Sequence, residues 1–129
     1  MSSIRLTRFT FESKCAKAIR NFGPSSAAKV LNDIEEFERD WHDGMDDDQL
    51  FARYNFKPLH VHRPYGLFQI RVGPKRKSLS YRSVVIFYDG QSSARWIHAF
   101  KKEGMSEPQE IELAVARADE FWNTMRGRL

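Results

Sequence analysis

The chain has 129 residues, 41% of them hydrophobic and 13% aromatic, and its 21 Lys and Arg against 17 Asp and Glu give a formal net charge of +4. This composition excludes an intrinsically disordered chain and predicts one globular domain over residues 1–129. No apolar run approaches the roughly 20 residues of a membrane span, and a lone cysteine, Cys15, excludes an internal disulfide. We therefore expect a cytoplasmic protein with no membrane partner.

The charges are unevenly distributed along the chain. Residues 1–30 carry a net +5, residues 31–50 carry −8, residues 51–102 carry +10 and residues 103–129 carry −3. The stretch 51–102 holds eleven basic side chains and a single acidic one, Asp89. Such an excess is typical of a surface that binds a polyanion such as nucleic acid. The alternative is an ordinary surface rich in lysine and arginine.

The first half of the chain has the periodicity of helices. Residues 4–9 predict a short first strand, and residues 11–22 predict a short amphipathic helix. A second helix begins at Pro24, because proline is tolerated in the first helical turn. Residues 49–56 fit either a short helical turn or irregular structure. The apolar stripe of the second helix consists of Val30, Ile34, Phe37 and Trp41.

The second half of the chain has the short apolar segments and turn signals of strands. After them Ser106 is a predicted N-cap, with Gln109 at capping-box spacing, for a last helix whose apolar stripe runs to Met125. Because the connections are tight, successive strands should pair antiparallel. The chain is thus predicted to be α+β, with an N-terminal helical hairpin packed on a four- or five-stranded antiparallel sheet and a C-terminal helix. The predicted strands are residues 58–63, 66–72, 80–88 and 94–100.

Four segments of this half form an ordered set of motifs: GLFQIR at 66–71, YRSVVIFYDG at 81–90, IHAFKKE at 97–103, and PQEIELA at 108–114. Together they resemble the phage-derived, HigB-like branch of the RelE toxin superfamily. The resemblance covers about residues 58–120, and the family has a helical hairpin before this region, as predicted here. Leu67 and Gln69 stand where the founding toxin has two lysines, and residues 73–80 form a longer, more basic connection than is usual.

The resemblance implies the toxin of a type II toxin–antitoxin system that acts as an endoribonuclease (mRNA interferase) on the ribosome, without a metal or other cofactor. In this family the RNA's own 2′-hydroxyl attacks the adjacent phosphate. The protein must therefore orient the strand, stabilise charge on the phosphate oxygens and assist proton transfer. The implied partners are the ribosome, mRNA and a cognate antitoxin, expected to be a helix-turn-helix protein.

Arginine suits a phosphate, because its planar fork donates two hydrogen bonds and keeps its charge. Arg71 should project from the sheet face opposite Ile70 and Val72. Arg82 interrupts an otherwise mainly apolar row, so it either binds phosphate or fills a structural role. The candidate catalytic residues are Arg71, Arg82, Lys101 and His98.

Further side chains of the basic stretch are candidates to hold the RNA strand. Lys101 and Lys102 follow the last strand, where a solvated loop is the alternative. Tyr65, in a turn beside Arg63, is the best candidate for an exposed ring that stacks on a base, whereas most other aromatic residues should be core. The candidate RNA-binding residues are Gln69, Lys75, Arg76, Lys77, Lys102 and Tyr65.

The histidines allow a metal or an acid–base interpretation. His60 and His62 lie two residues apart on a predicted strand and so share a face, but the spacings typical of metal ligands are absent, and no metal site is predicted. His98 suits proton transfer because its pKa lies near working pH; the alternative is a strand histidine satisfied by packing. Cys15 lies on the apolar stripe of the first helix and is predicted to be a small core residue.

Two other functions fit the same sequence. One is a toxin of the same fold that poisons DNA gyrase, as the ParE branch does. The other is a basic nucleic-acid-binding module without catalysis. The aligned arginines and the lysine pair favour an RNA-cleaving toxin over the gyrase poison.

Overall fold

Nine helices and strands make up the described part of the chain, which in this computed structural model comprises residues 4–59, 62–76, 79–103 and 107–127, with Arg76 described by its backbone alone. None of the described helices is both long and apolar enough to cross a membrane. In chain order the elements are β1 (Arg8–Phe11), α1 (Ser13–Arg20), α2 (Pro24–His42), α3 (Asp47–Tyr54), β2 (Lys57–Pro58), β3 (Gly66–Arg76), β4 (Leu79–Tyr88), β5 (Ser93–Glu103) and α4 (Glu107–Arg126).

The five strands form one sheet in the order β1-β5-β4-β3-β2. Strands β2 to β5 pair antiparallel, as predicted from their tight connections. Strand β1 pairs parallel with β5, so the expectation of a wholly antiparallel sheet is wrong at this edge. The three helices α1 to α3 and the strands β2 to β4 lie between β1 and β5 in the chain, and together they supply the long connection that a parallel pair requires. The predicted α+β class, with an N-terminal helical hairpin and a C-terminal helix, is confirmed.

The helical hairpin covers one face of the sheet, called here the hairpin face. The predicted stripe of α2 is buried there, and its aromatic members contact one another and the strands, as in the pair Phe37 and Trp96, whose ring centres are 5.7 Å apart. Cys15 is fully buried in the same core, as predicted, and burial raises the pKa of its thiol to about 12. The strand residues of this core include Ile70, Val72, Tyr81, Val85, Phe87, Trp96 and Ala99.

Helix α4 packs on the opposite face, called here the α4 face. Its buried side chains are the small residues Ala114 and Ala118, which allow the helix to approach the sheet closely. Between Val84 and Val85 the pairing with β5 shifts register, so that Ile97 and His98 both contribute to this face. The strand residues of the apolar core here are Leu67, Val84, Ile86, Ile97 and Phe100.

Two predicted boundaries in the first half need correction. The first strand begins at Arg8 rather than at residue 4, because the preceding segment is held against the end of α2 instead, where Arg5 donates to the Met45 carbonyl at 2.7 Å. The ambiguous stretch 49–56 lies mostly in α3, whose first turn is closed by a capping box between the N-cap Asp46 and Gln49.

The second half also departs from its predicted boundaries. The strand predicted over 58–63 is the two-residue β2; His60 lies outside the described residues, as does the predicted N-cap Ser106. The connection predicted over 73–80 is mostly strand, because β3 continues to Arg76 and β4 begins at Leu79. Lys75 therefore lies on β3 and not in a loop.

Gly73 makes this extension of β3 possible. It has φ +75° at a register shift in the β3–β4 pair, a conformation that side-chain-bearing residues rarely adopt. Its N–H donates to the Asp33 carboxylate of α2 at 2.8 Å, and a Cβ atom there would lie 2.8 Å from the Val30 side chain. The glycine thus lets β3 bend while remaining close to α2.

Candidate anion-binding site

Three of the predicted site residues lie together on the α4 face. Gln69 and Arg71 alternate with the buried Ile70 and Val72 of the hairpin face, so they project to the other side, as predicted. Arg71 is paired directly with Arg82 of β4, and residues that are directly opposite in an antiparallel pair project to the same face. The two guanidinium groups therefore share one face at the β3–β4 pair.

Each of these three side chains has at least one buried polar atom without a partner among the described residues. Arg82 is only 7% exposed, and neither its Nε nor its Nη1 has a hydrogen-bond partner among the described residues. The same holds for Arg71 Nε and for Gln69 Oε1. Buried polar groups in folded proteins are nearly always hydrogen-bonded, so a group of orphaned donors indicates a missing acceptor.

The charges point to the same conclusion. Burial lowers the pKa of the Arg82 guanidinium, and the positive charge of Arg71 lowers it further. The negative charge of Glu107 raises this pKa. An arginine nevertheless stays charged at neutral pH. Two like charges opposite each other on neighbouring strands destabilise the pair. An anion between them would accept the free N–H groups and remove this repulsion.

Two residues not singled out from the sequence, Glu107 and Lys57, lie beside these side chains. The positively charged side chains on this face, Arg71, Arg82, Lys102 and Lys57, are called here the cationic cluster. Glu107, at the start of α4, forms an ion pair with Lys102 of β5, with 2.9 Å between Glu107 Oε2 and Lys102 Nζ. Lys57 of β2 lies directly opposite Gln69 and is close enough to Glu107 to lower the pKa of its carboxyl. The sequence shows only that Lys57 belongs to the basic stretch. A two-residue strand gives no sequence pattern from which its register could be predicted.

Lys101 lies on the other face of the sheet. It is opposite Tyr81, whose ring belongs to the core of the hairpin face, and it pairs with Glu103 at 3.3 Å. The structure therefore brings Lys102, and not Lys101, onto the face that carries Arg82. A catalytic role for Lys101 stays a prediction that this geometry does not favour.

His98 is buried and its ring is hydrogen-bonded on both sides. Its Nε2 is 2.7 Å from a Glu110 oxygen, and its Nδ1 is 2.7 Å from Arg117 Nη1. Because the guanidinium can only donate, Nδ1 is the acceptor and Nε2 carries the proton. Burial lowers the pKa of His98, which favours this neutral ring. A role in proton transfer would require one of these bonds to open, so that role stays a prediction.

The prediction that the Tyr65 ring is exposed is wrong. The residue is 8% exposed, its hydroxyl donates to Asp119 at 2.5 Å, and its ring lies against Trp122 with 5.6 Å between ring centres. The turn before β3 is held down on α4, which the sequence pattern did not indicate. Stacking of this ring on a base would require α4 to move.

The basic residues of the β3–β4 hairpin are described only in part. Lys75 is exposed near the end of β3, the side chain of Arg76 is not described, and Lys77 lies outside the described residues. Lys75 lines one open cavity of about 420 Å³ beside α2 and α3, and Arg71 also contributes to its wall, because β3 is the edge of the sheet beyond the short β2. Within the described ranges no three His, Cys, Asp or Glu side chains are grouped as metal ligands would be.

One comparison with solved structures bears on this fold. The chain is similar to a chain in the crystal structure of an archaeal RelE–RelB complex from Pyrococcus horikoshii OT3, with a TM-score of 0.53 and 13% sequence identity. The match covers 78% of this chain and 98% of that chain. No protein-family model and no curated protein sequence matches the chain. The molecule is thus an α+β protein with a RelE-like fold, and on one face of its sheet Arg71 and Arg82 have buried N–H groups without partners among the described residues.

Proposed function

We propose that this protein is the toxin of a toxin–antitoxin pair, of the HigB-like, phage-derived branch suggested by its sequence motifs, and that it cleaves mRNA on the ribosome. The observation that carries the proposal is the Arg71–Arg82 pair, whose buried N–H donors lack acceptors within the described chain. The similarity to a chain of the RelE–RelB complex supports the same function. Control by a helix-turn-helix antitoxin and a cytoplasmic location belong to this proposal.

The proposed reaction needs no nucleophile from the protein. The RNA 2′-oxygen bonds to the adjacent phosphorus, the bond to the 5′-oxygen breaks, and the proton lost by the 2′-hydroxyl is balanced by one gained by the departing 5′-oxygen. Negative charge builds on the non-bridging oxygens during this exchange. Arg71 and Arg82 donate to those oxygens, and Lys102 adds a third positive charge on the same face.

The burial of Arg82 is what makes it effective. Its side chain is almost fully enclosed by the protein, so it needs little reorganisation as the charge develops. Gln69, opposite Val84 and two pairs away from the Arg71–Arg82 pair, contributes an oxygen that has no partner among the described residues and can accept from a ribose hydroxyl or a base. The basic end of the β3–β4 hairpin, from Lys75 onward, would follow the RNA backbone beyond the cleavage point.

The test is the rate of mRNA cleavage in a purified translation system. Arg71→Ala and Arg82→Ala should each slow cleavage by about 10²–10³-fold, the scale for losing one donor to a transition-state oxyanion. Arg63→Ala is the matched control, since Arg63 also lies in the basic stretch but is paired with Asp119 at 2.8 Å. Cleavage that persists at the wild-type rate in both site variants would contradict the proposal. Intact mRNA with inhibited DNA supercoiling would favour a gyrase poison instead.

A further inference from the structure

Glu107 is an acidic side chain that the described structure brings to the cationic cluster on the α4 face. It is the first residue of α4, and its side chain is 28% exposed. Its Oε2 accepts from Lys102 Nζ at 2.9 Å. The carboxylate is thus bound to a side chain of β5 rather than directed freely into solvent.

Two further cations act on the same carboxylate. Arg82 on β4 and Lys57 on β2 both add to the effect of Lys102. The hydrogen bond from Lys102 is the largest cause that lowers the pKa of Glu107, and partial burial opposes it. Glu107 is therefore ionised at neutral pH, in the electrostatic field of three cations that come from three different strands.

A generic explanation exists for an acidic residue in a first helical turn. Such residues are favourable there because they interact with the helix dipole and with free backbone N–H groups. That explanation requires neither a bond to Lys102 nor proximity to Arg82. Two buried N–H groups of Arg82 also have no partner among the described residues despite Glu107, so the carboxylate offsets the charge of Arg82 without satisfying those two donors.

A carboxylate resembles a phosphate in its charge and its acceptor oxygens. We propose that Glu107 is an intramolecular counter-ion of the cluster, which competes with the RNA phosphate for Lys57, Arg82 and Lys102. Phosphate binding then requires the first turn of α4 to release Lys102. This inference rests on the proposed function, in which the same cluster binds RNA phosphate.

The consequence is that removing the carboxylate strengthens RNA binding. Glu107→Gln keeps the size of the side chain and removes its charge, so a short RNA with 2′-O-methyl riboses, which cannot be cleaved, should bind about tenfold more tightly, a change of about 1.4 kcal/mol. Glu112→Gln is the matched control, because Glu112 is an exposed acid on the same helix. The control removes one negative charge as well, and it should change affinity less than twofold.

A second variant tests the same point if Glu107→Gln folds poorly. Glu107→Asp keeps the negative charge that favours the helix start but shortens the reach to Lys102, so RNA should again bind more tightly than to the wild type. Thermal melts show which variants are folded. An affinity equal to that of the Glu112→Gln control, or a weaker one, would overturn the counter-ion role.

The outcomes separate this inference from the proposed function. If Arg82→Ala abolishes RNA binding but Glu107→Gln behaves like its control, the phosphate site stands and the counter-ion role is wrong. If the wild type and Glu107→Gln both fail to bind the RNA above the level of Arg82→Ala, the proposed phosphate site itself is wrong, and the counter-ion role fails with it.

Discussion

Arg71 and Arg82 lie directly opposite each other on β3 and β4, and both side chains project from the α4 face of the sheet. A cross-strand pair of like charges is unfavourable, and here one member is almost fully buried. The arrangement contributes repulsion, and it leaves N–H donors unsatisfied within the part of the chain that the structure describes. Sites of this kind are retained where a ligand supplies what the chain lacks.

This relationship predicts that replacing Arg82 by an apolar residue raises the stability of the protein and lowers its function. Arg82→Met replaces a buried charge, two of whose N–H groups have no partner among the described residues, by an apolar chain of similar length. We expect the free energy of unfolding to rise by about 1–2 kcal/mol, while RNA binding and cleavage fall to the level of Arg82→Ala. Urea denaturation and an RNA binding assay measure the two effects.

Arg63→Met provides the comparison for that experiment. Arg63 is exposed and pairs with Asp119, so its replacement should leave stability unchanged or slightly lower it. A loss of stability in Arg82→Met would mean that Arg82 contributes to the fold, and the argument for a vacant acceptor would be wrong.

The basic end of the β3–β4 hairpin leads to a second prediction. If Lys75, Arg76 and Lys77 contact the RNA backbone, neutralising all three should reduce the slope of log affinity against log salt by up to about 2. Fluorescence anisotropy with single-stranded RNA at several salt concentrations measures this slope. Neutralising three exposed cations elsewhere, Arg8, Lys14 and Arg39, is the control for net charge. Equal slopes in the two variants would show that the hairpin end lies away from RNA.

The buried ring of His98 predicts a pH dependence of stability. Its pKa is lowered in the folded protein from the ordinary value of 6.5, chiefly by burial, so the unfolded chain binds a proton that the folded chain excludes. The free energy of unfolding should therefore have its full value above pH 6.5 and fall as the pH drops below it, by at most about 1.4 kcal/mol per pH unit. Urea denaturation at pH 7.5 and pH 5.5 measures the loss.

His98→Gln should reduce this pH dependence, because the variant lacks the titrating group. NMR titration of the His98 ring gives a direct second measurement. A ring pKa above 6.5 in the folded protein would show that Glu110 outweighs burial, and it would return His98 to the candidates for proton transfer.

Gly73 yields a prediction about the support of the site. Gly73→Ala places a Cβ 2.8 Å from the Val30 side chain at a positive φ, so we expect a loss of about 2 kcal/mol or more of unfolding free energy. Gly90→Ala is matched in φ, at +63°, but its Cβ would meet nothing within 4 Å, and it should cost about 1 kcal/mol. Equal losses in the two variants would show that backbone strain alone matters at Gly73.

The sequence was informative where periodicity determines the direction of side chains. Strand alternation is sufficient to place Arg71 opposite the Ile70 and Val72 face, and the apolar stripe predicts which side of α2 is buried. Alternation also places Lys101 and Lys102 on opposite faces, and the register of β5 decides which of them shares the face of Arg82. That register depends on the shift at Val84–Val85, which no local pattern indicates.

Features that depend on contacts between distant segments were not predictable in this way. The parallel pairing of β1 with β5, the burial of Tyr65 by its bond to Asp119, and the approach of Glu107 to the cluster each join distant parts of the chain. Propensity and spacing describe neighbours in sequence, so they carry no information about these contacts.

The most direct test of the central claim is to map new 5′ ends in mRNA after adding the purified protein to translating ribosomes. We expect new ends within translated regions in the presence of ribosomes, strongly reduced with Arg82→Ala and retained with the Arg63→Ala control. Intact mRNA after incubation with folded wild-type protein, or ends that form equally with Arg82→Ala, would contradict the account.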